Sequence, residues 1–174
     1  MAWVVLTGYM GAGKSTVGRA VSARVSRAFL DSDDEIERET GLAIPRIFAT
    51  RGEVWFRRTE ERTIRAIVER EPAGVLSIGG GAVENARTRD LLHRVAHVVW
   101  LRATPEQLWD RVMGSARPLA TDRDRFLRRY ARREAFYAAT AHVIVDAAQP
   151  FDDVVADVLA GVQPALGAES EAGS

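Results

Sequence analysis

Gly8-Tyr9-Met10-Gly11-Ala12-Gly13-Lys14-Ser15-Thr16 fills every fixed position of the pattern G-x-x-x-x-G-K-[ST], and no other stretch constrains the fold so tightly. It stands directly after the short apolar run Trp3-Val4-Val5-Leu6, between a predicted strand and a predicted helix, where the pattern has mechanical meaning. A loop of this kind turns successive backbone N–H groups inward onto phosphate oxygens, using the backbone freedom of Gly8, Gly11 and Gly13. The following helix adds the positive end of its dipole. Lys14 would reach the outer phosphates of a nucleotide, and the Ser15 hydroxyl would ligate Mg2+. The plainer alternative is a glycine-rich turn that merely joins strand to helix. Against it, Lys14 is the only lysine in a chain with 24 basic residues, so whatever bias removed lysine elsewhere spared this position.

Short apolar runs alternate with amphipathic stretches along the rest of the chain, which predicts an α/β fold with a parallel sheet covered by helices. Strands are expected over about 2–7, at Ala28-Phe29-Leu30, over 74–78, over 96–101 and over 142–145. From Glu35 to about Arg70 the chain reads as helical, with breaks near Gly41 and Gly52 and Pro45 in a first helical turn. So long a helical insertion between two strands reads as a substrate-binding subdomain over about 33–60. A helix is expected over 85–94. Thr104-Pro105-Glu106-Gln107 is a capping box that starts another. The aperiodic segment with Arg117-Pro118 reads as a lid over about 112–124. Phe126, Tyr130 and Tyr137 mark one face of the next helix. Phe151, Val154, Val155, Val158, Leu159 and Val162 form a final stripe expected to pack on the sheet. This outlines a single domain over 1–162, with a small polar tail over 163–174 expected to be disordered.

At 174 residues one such domain buries a core without staples, and the absence of cysteine excludes disulfides and thiolate metal sites. The 24 basic and 24 acidic residues cancel, so no broad field for nucleic acid is expected. No apolar run approaches the length of a membrane span, and no basic leader precedes the first strand; a cytoplasmic protein is the default expectation.

Phosphoryl transfer needs a metal holder and a group that accepts or orients the acceptor's proton. Asp31 and Asp33 stand two apart at a strand's C-terminal end, where open α/β sheets place ligands, and in an extended segment both would face the phosphate loop. One would point to Mg2+ and one to the acceptor. Asp34 and Glu35 read instead as an acidic helix start. Arg57 and Glu60 share a helix face, either as a surface ion pair or as an arginine oriented by a carboxylate to grip an anion. Gly79-Gly80-Gly81 at a strand end suits a wall lying close to a ligand, or a flexible turn.

Taken in order, Gly8 to Thr16, Phe29-Leu30-Asp31-Ser32-Asp33, Ile47-Phe48-Ala49 through Gly52-Glu53, Phe56-Arg57, Gly79-Gly80-Gly81-Ala82 and Arg117-Pro118-Leu119 resemble the shikimate kinase family from about Val4 to Leu159. The resemblance implies a three-layer P-loop kinase with a five-stranded parallel sheet, helices on both faces, a helical substrate-binding subdomain and a moving lid, usually monomeric. It implies transfer of the γ-phosphoryl group of ATP to the 3-hydroxyl of shikimate with one Mg2+. By it, Gly11, Ala12, Gly13, Lys14, Ser15 and Thr16 hold ATP, and Ser15 and Asp31 serve the metal. Asp33 binds the substrate hydroxyls and is the base. Arg57, held by Glu60, joins Arg133 and the backbone of Gly79, Gly80 and Gly81 around the substrate. Arg117 is the lid arginine, catalytic with Asp33 and Lys14, and Arg111 stacks near adenine. The chain departs from the family pattern in a segment from Arg111 to Arg117 that is one residue shorter, and in Ala135 where proline is common. A gluconate kinase-like enzyme and a non-catalytic nucleotide-binding module are the alternatives. A GTPase switch is disfavoured, because its Asn-Lys-x-Asp motif needs a second lysine.

Overall fold

A computed structural model describes residues 2–113 and 122–167. In chain order its elements are β1 (Trp3–Thr7), α1 (Lys14–Arg24), β2 (Phe29–Asp31), α2 (Ser32–Thr40), α3 (Ile44–Arg70), β3 (Val75–Ser77), α4 (Ala86–Val95), β4 (Ala96–Arg102), α5 (Pro105–Met113), α6 (Arg123–Thr140), β5 (Val143–Asp146) and α7 (Phe151–Gly167). A single 3-10 turn, Ala82–Glu84, lies between β3 and α4.

The strands form one parallel sheet in the order β2-β3-β1-β4-β5, as the α/β reading expects. β1 is the middle strand, with Val4 against Val75 on one side and against His97 on the other. All five of its residues are buried, which explains an apolar run without polar alternation: helices cover both faces. α1 and α7 pack on each other and on the sheet, while α4 and α6 pack on each other and on β4, giving three layers. Because every strand runs the same way, all carboxyl ends open at one rim, with the chain reversing its direction of travel across the sheet around β1, the place where ligands bind in such folds.

The expected helix starts are there. Thr104 and Gln107 exchange both bonds of the capping box, at 2.9 and 3.3 Å. Pro45 lies in the first turn of α3, and Gly52 breaks that helix at φ 80°. α2 and the start of α3 carry a core of their own, in which Ile36, Ile47 and Phe56 are buried with Phe48 and Trp55 packed against them.

Three expectations need correction. The segment after Asp31 is not extended. Asp31 caps α2, its carboxylate accepting the Asp33 N–H at 3.0 Å, so Asp33 lies in a first helical turn. Phe151 is 47% exposed, because it occupies the first position of α7, where the apolar stripe has not yet reached the sheet. The helix also continues past Gln163 to Gly167, with Leu166 packed against the core. Most of the expected lid, including Arg117, lies outside the described residues.

Candidate active site

The site gathers at the carboxyl ends of β1, β2 and β3. From β1 the phosphate loop leads into α1, and Lys14 bends back to donate to the carbonyls of Gly8 (2.9 Å) and Tyr9 (3.3 Å). Asp31 closes β2. One of its oxygens accepts the Ser15 hydroxyl at 2.6 Å, which joins the two residues expected to serve a metal. The neighbouring Ser32 is fully buried and accepts the Gly79 N–H at 3.1 Å, tying the end of β2 to the glycine run after β3.

That glycine run is where the site's parts meet. A Cβ at Gly79 would collide with Glu60 Oε1 and come within 3.0 Å of Asp33 Oδ1. At Gly80 a Cβ would press on the Gly8 carbonyl at 3.1 Å, and the Gly80 carbonyl accepts the Tyr137 hydroxyl at 2.5 Å. At Gly81 it would occupy the place of the Arg57 guanidinium. These are wall positions with side chains laid across them, so the flexible-turn alternative is not what the fold uses.

Asp33 and Glu60 each keep one buried oxygen, Oδ1 and Oε1, with no hydrogen-bond partner among the described residues. Burial pushes the Asp33 carboxyl up to about 7, helped by the negative charges of Glu60 and Asp31 and opposed by Lys14 and Arg57. Burial raises Glu60 as well, against the pull of Arg57. Arg57 donates to Glu60 Oε2 at 2.7 Å, with a longer contact to Glu53 at 3.5 Å. The Glu60 side chain is only 3% exposed, so this is no solvated surface pair.

Arg133 projects from α6 and is buried. Its Nε donates to Glu84 at 2.6 Å, and its guanidinium lies 5.5 Å from the centroid of the Tyr9 ring. Arg111 reaches over the outside of the phosphate loop, donating to the carbonyls of Ala147 (2.7 Å) and Gly11 (3.5 Å).

The fold thus links Lys14, Ser15, Asp31, Asp33, Arg57 and the three glycines in one run of contacts, with Arg133 joined through Tyr9 and Tyr137. Sequence reasoning missed Ser32 and Glu84, and saw Tyr137 only as core. Glu84 had a faint signal, as the first acid after the glycine run.

Comparison with known proteins places the chain among its relatives. The family model described as "Shikimate kinase" matches residues 10–163. The shikimate kinase of Burkholderia pseudomallei (strain 1710b) is 43% identical over 151 residues, covering 84% of this chain and 82% of that protein. That of Symbiobacterium thermophilum is 40% identical over 170 residues, covering 92% and 95%. Among solved structures, shikimate kinase from Acinetobacter baumannii in complex with shikimate superimposes with a TM-score of 0.83 at 36% identity, covering 91% of each chain. The family match spans residues 10–163, a range that takes in Lys14, the glycine run and α6, and the chain belongs to the shikimate kinase family.

Proposed function

We propose that this kinase transfers the γ-phosphoryl group of ATP to the 3-hydroxyl of shikimate, with Asp33 as the proton acceptor. The observation that carries this reading is the Asp33 carboxyl, enclosed at the phosphate-loop mouth with a pKa of about 7 and an unpartnered Oδ1. A base that titrates near the working pH combines the ionised form with a useful drive for proton transfer. In the reaction the substrate oxygen bonds to the γ-phosphorus as the bond to the β-phosphate oxygen breaks. The hydroxyl proton passes to Asp33, and ADP leaves with the electron pair of the broken bond.

The remaining roles follow from position and charge. Arg57 and Arg133 grip the substrate carboxylate beside the backbone of Gly79, Gly80 and Gly81. The backbone of Gly11, Ala12, Gly13 and Thr16 surrounds the phosphates, and Lys14 turns from its loop carbonyls to neutralise them. By the family resemblance Arg111 borders the adenine, and Arg117, outside the described residues, is the arginine assigned to the phosphates. Ser15 and Asp31 suit Mg2+: they are hard oxygen donors already 2.6 Å apart, and an ion of this kind takes few protein ligands beside phosphate oxygens and water. Bound there, Mg2+ would neutralise charge developing on the phosphates. The enzyme is read as a cytoplasmic monomer, in keeping with the resemblance. Among the described residues no helix is long and apolar enough to cross a membrane.

A coupled ADP-release assay with ATP and Mg2+ tests this reading, comparing shikimate, gluconate and no acceptor. Turnover with shikimate alone is expected. Turnover with gluconate, or with neither acid, would overturn the assignment of substrate.

A further inference from the structure

Each arginine of the proposed carboxylate grip is paired with a carboxylate of the protein: the buried Glu60 for Arg57, the half-buried Glu84 for Arg133. Glu84 lies one helical turn past Gly81, at the end of the 3-10 turn that the Glu84 N–H closes onto the Gly81 carbonyl at 3.0 Å. Arg89 pins the same turn from α4 by donating to the carbonyls of Val83 (2.7 Å) and Glu84 (3.1 Å). Both Glu84 oxygens are engaged by consecutive residues of α6, one by Arg133 Nε at 2.6 Å and the other by Arg132 at 2.9 Å. A carboxylate held at both oxygens and at its own backbone has little freedom to rotate.

We propose that Glu84 is the positioning residue for Arg133, holding its guanidinium through Nε, with Tyr137 as its other side-chain partner, so that its terminal nitrogens are presented to the substrate carboxylate. This rests on the reading of Arg133 given above. The Arg133 side chain is 5% exposed, and a guanidinium that deep is costly without an anion beside it. Glu84 supplies that anion in the substrate-free enzyme, so the substrate meets an arginine already in place and does not have to order it. Burial raises the Glu84 carboxyl, but Arg133 and Arg132 outweigh burial and hold it below its usual range, which keeps it charged at neutral pH. Through the turn, one backbone segment sets both halves of the grip, since Arg57 lies across Gly81 and Arg133 is anchored three residues later.

Steady-state kinetics of E84A, E84Q, R133A and the E84A/R133A double variant, with shikimate and ATP varied in turn, test this. E84A is expected to raise the shikimate KM about 10- to 100-fold while the ATP KM stays within about twofold. E84Q keeps an acceptor oxygen for Nε but not the charge, and should recover part of that loss. In the R133A background, E84A should add less than about twofold, because its effect runs through Arg133. A shikimate KM unchanged in E84A while R133A raises it would overturn the role of Glu84 and leave the grip intact. Full additivity in the double variant, or equal rises for both substrates, would reduce Glu84 to a structural staple and overturn the proposal. No effect of R133A would overturn the reading of the grip itself. If E84A does not fold, E84D decides: drawn back by one methylene, it should raise the shikimate KM and spare that of ATP, and equal changes in both would overturn the proposal.

Discussion

Replacing Asp33 by asparagine should make the protein more stable and, at the same time, nearly inactive. The carboxyl titrates near 3.8 when solvated and at about 7 in the fold, because burial and the charges of Glu60 and Asp31 disfavour its ionised form. The sign follows from proton counts. Between those two values the folded chain holds more protons than the unfolded one, so stability falls as pH rises through the window. A shift of this size corresponds to about 4 kcal/mol lost at pH 8, against about 2 kcal/mol at pH 5. Asparagine carries no charge to desolvate. D33N is therefore expected to exceed the parent stability by up to about 4 kcal/mol at pH 8, an advantage roughly halved at pH 5. For a chain of this size the pH 8 gain corresponds to a Tm rise of roughly 8–16 °C. Urea denaturation at the two pH values, with ADP release measured on the same preparations, reads both effects. A D33N protein whose advantage is the same at pH 5 and pH 8, or which is less stable at pH 8, would refute the strained-carboxylate reasoning. Unchanged turnover would remove Asp33 from the chemistry.

In the parent enzyme the same group should give kcat/KM for shikimate a limb that rises with pH around 7, and a flat profile from pH 6 to 8.5 would contradict Asp33 as base. R57A should lower kcat/KM for shikimate by about 2–5 kcal/mol, since it removes a grip and strands the buried Glu60; unchanged kinetics would place Arg57 outside the site. G81A is expected to fold without backbone strain, as Gly81 sits at φ −100°, yet its Cβ takes the place of the Arg57 guanidinium, so the shikimate KM should rise with little change in Tm. An unaltered shikimate KM would show that Arg57 has another productive pose. The chain's three histidines meet at β4 and β5, where His142 Nδ1 accepts the Val98 N–H at 3.0 Å and burial, with His97 and His93, holds its pKa below 6.5. Its contribution to stability is complete above pH 6.5 and fades as pH falls below it, and H142N, a neutral acceptor, should flatten that part of the pH–stability curve.

What was legible in the sequence is what local chemistry decides. A phosphate loop between an apolar run and a helix, a Thr104–Gln107 box and a glycine at a helix break each carry their own geometry, and each stands where expected. Asp31 shows the limit of a periodicity argument. Alternation in an extended strand implied that Asp31 and Asp33 face the same way, but an aspartate followed by a run of acids is also a helix cap, and the cap won. Partnerships between distant segments left little trace. Glu84 and Arg133 are 49 residues apart, Ser32 and Gly79 are 47, and only the sheet order brings them together. Phe151 matched the stripe in spacing, but spacing cannot say where a helix first touches the layer beneath it.

The arrangement of charge explains why these sites respond differently to mutation. Arg57 and Arg133 each lie against an internal carboxylate, so their charges are largely compensated before any substrate arrives. A substrate carboxylate then adds to a preset arrangement, and its binding does not bear the cost of orienting two long side chains. Removing Arg57 strands the buried Glu60, whereas removing Arg133 leaves Glu84 part-exposed and still paired with Arg132, so the loss of stability that accompanies lost affinity should be larger at Arg57. Asp33 is the opposite case. Burial, with the acids around it, outweighs the relief from Lys14 and Arg57, and its Oδ1 has no hydrogen-bond partner among the described residues. Its strain is the source of its basicity: a carboxylate that the fold disfavours is one that accepts a proton readily from a hydroxyl held at its side. Stability and turnover should therefore move in opposite directions at Asp33 and in the same direction at Arg57.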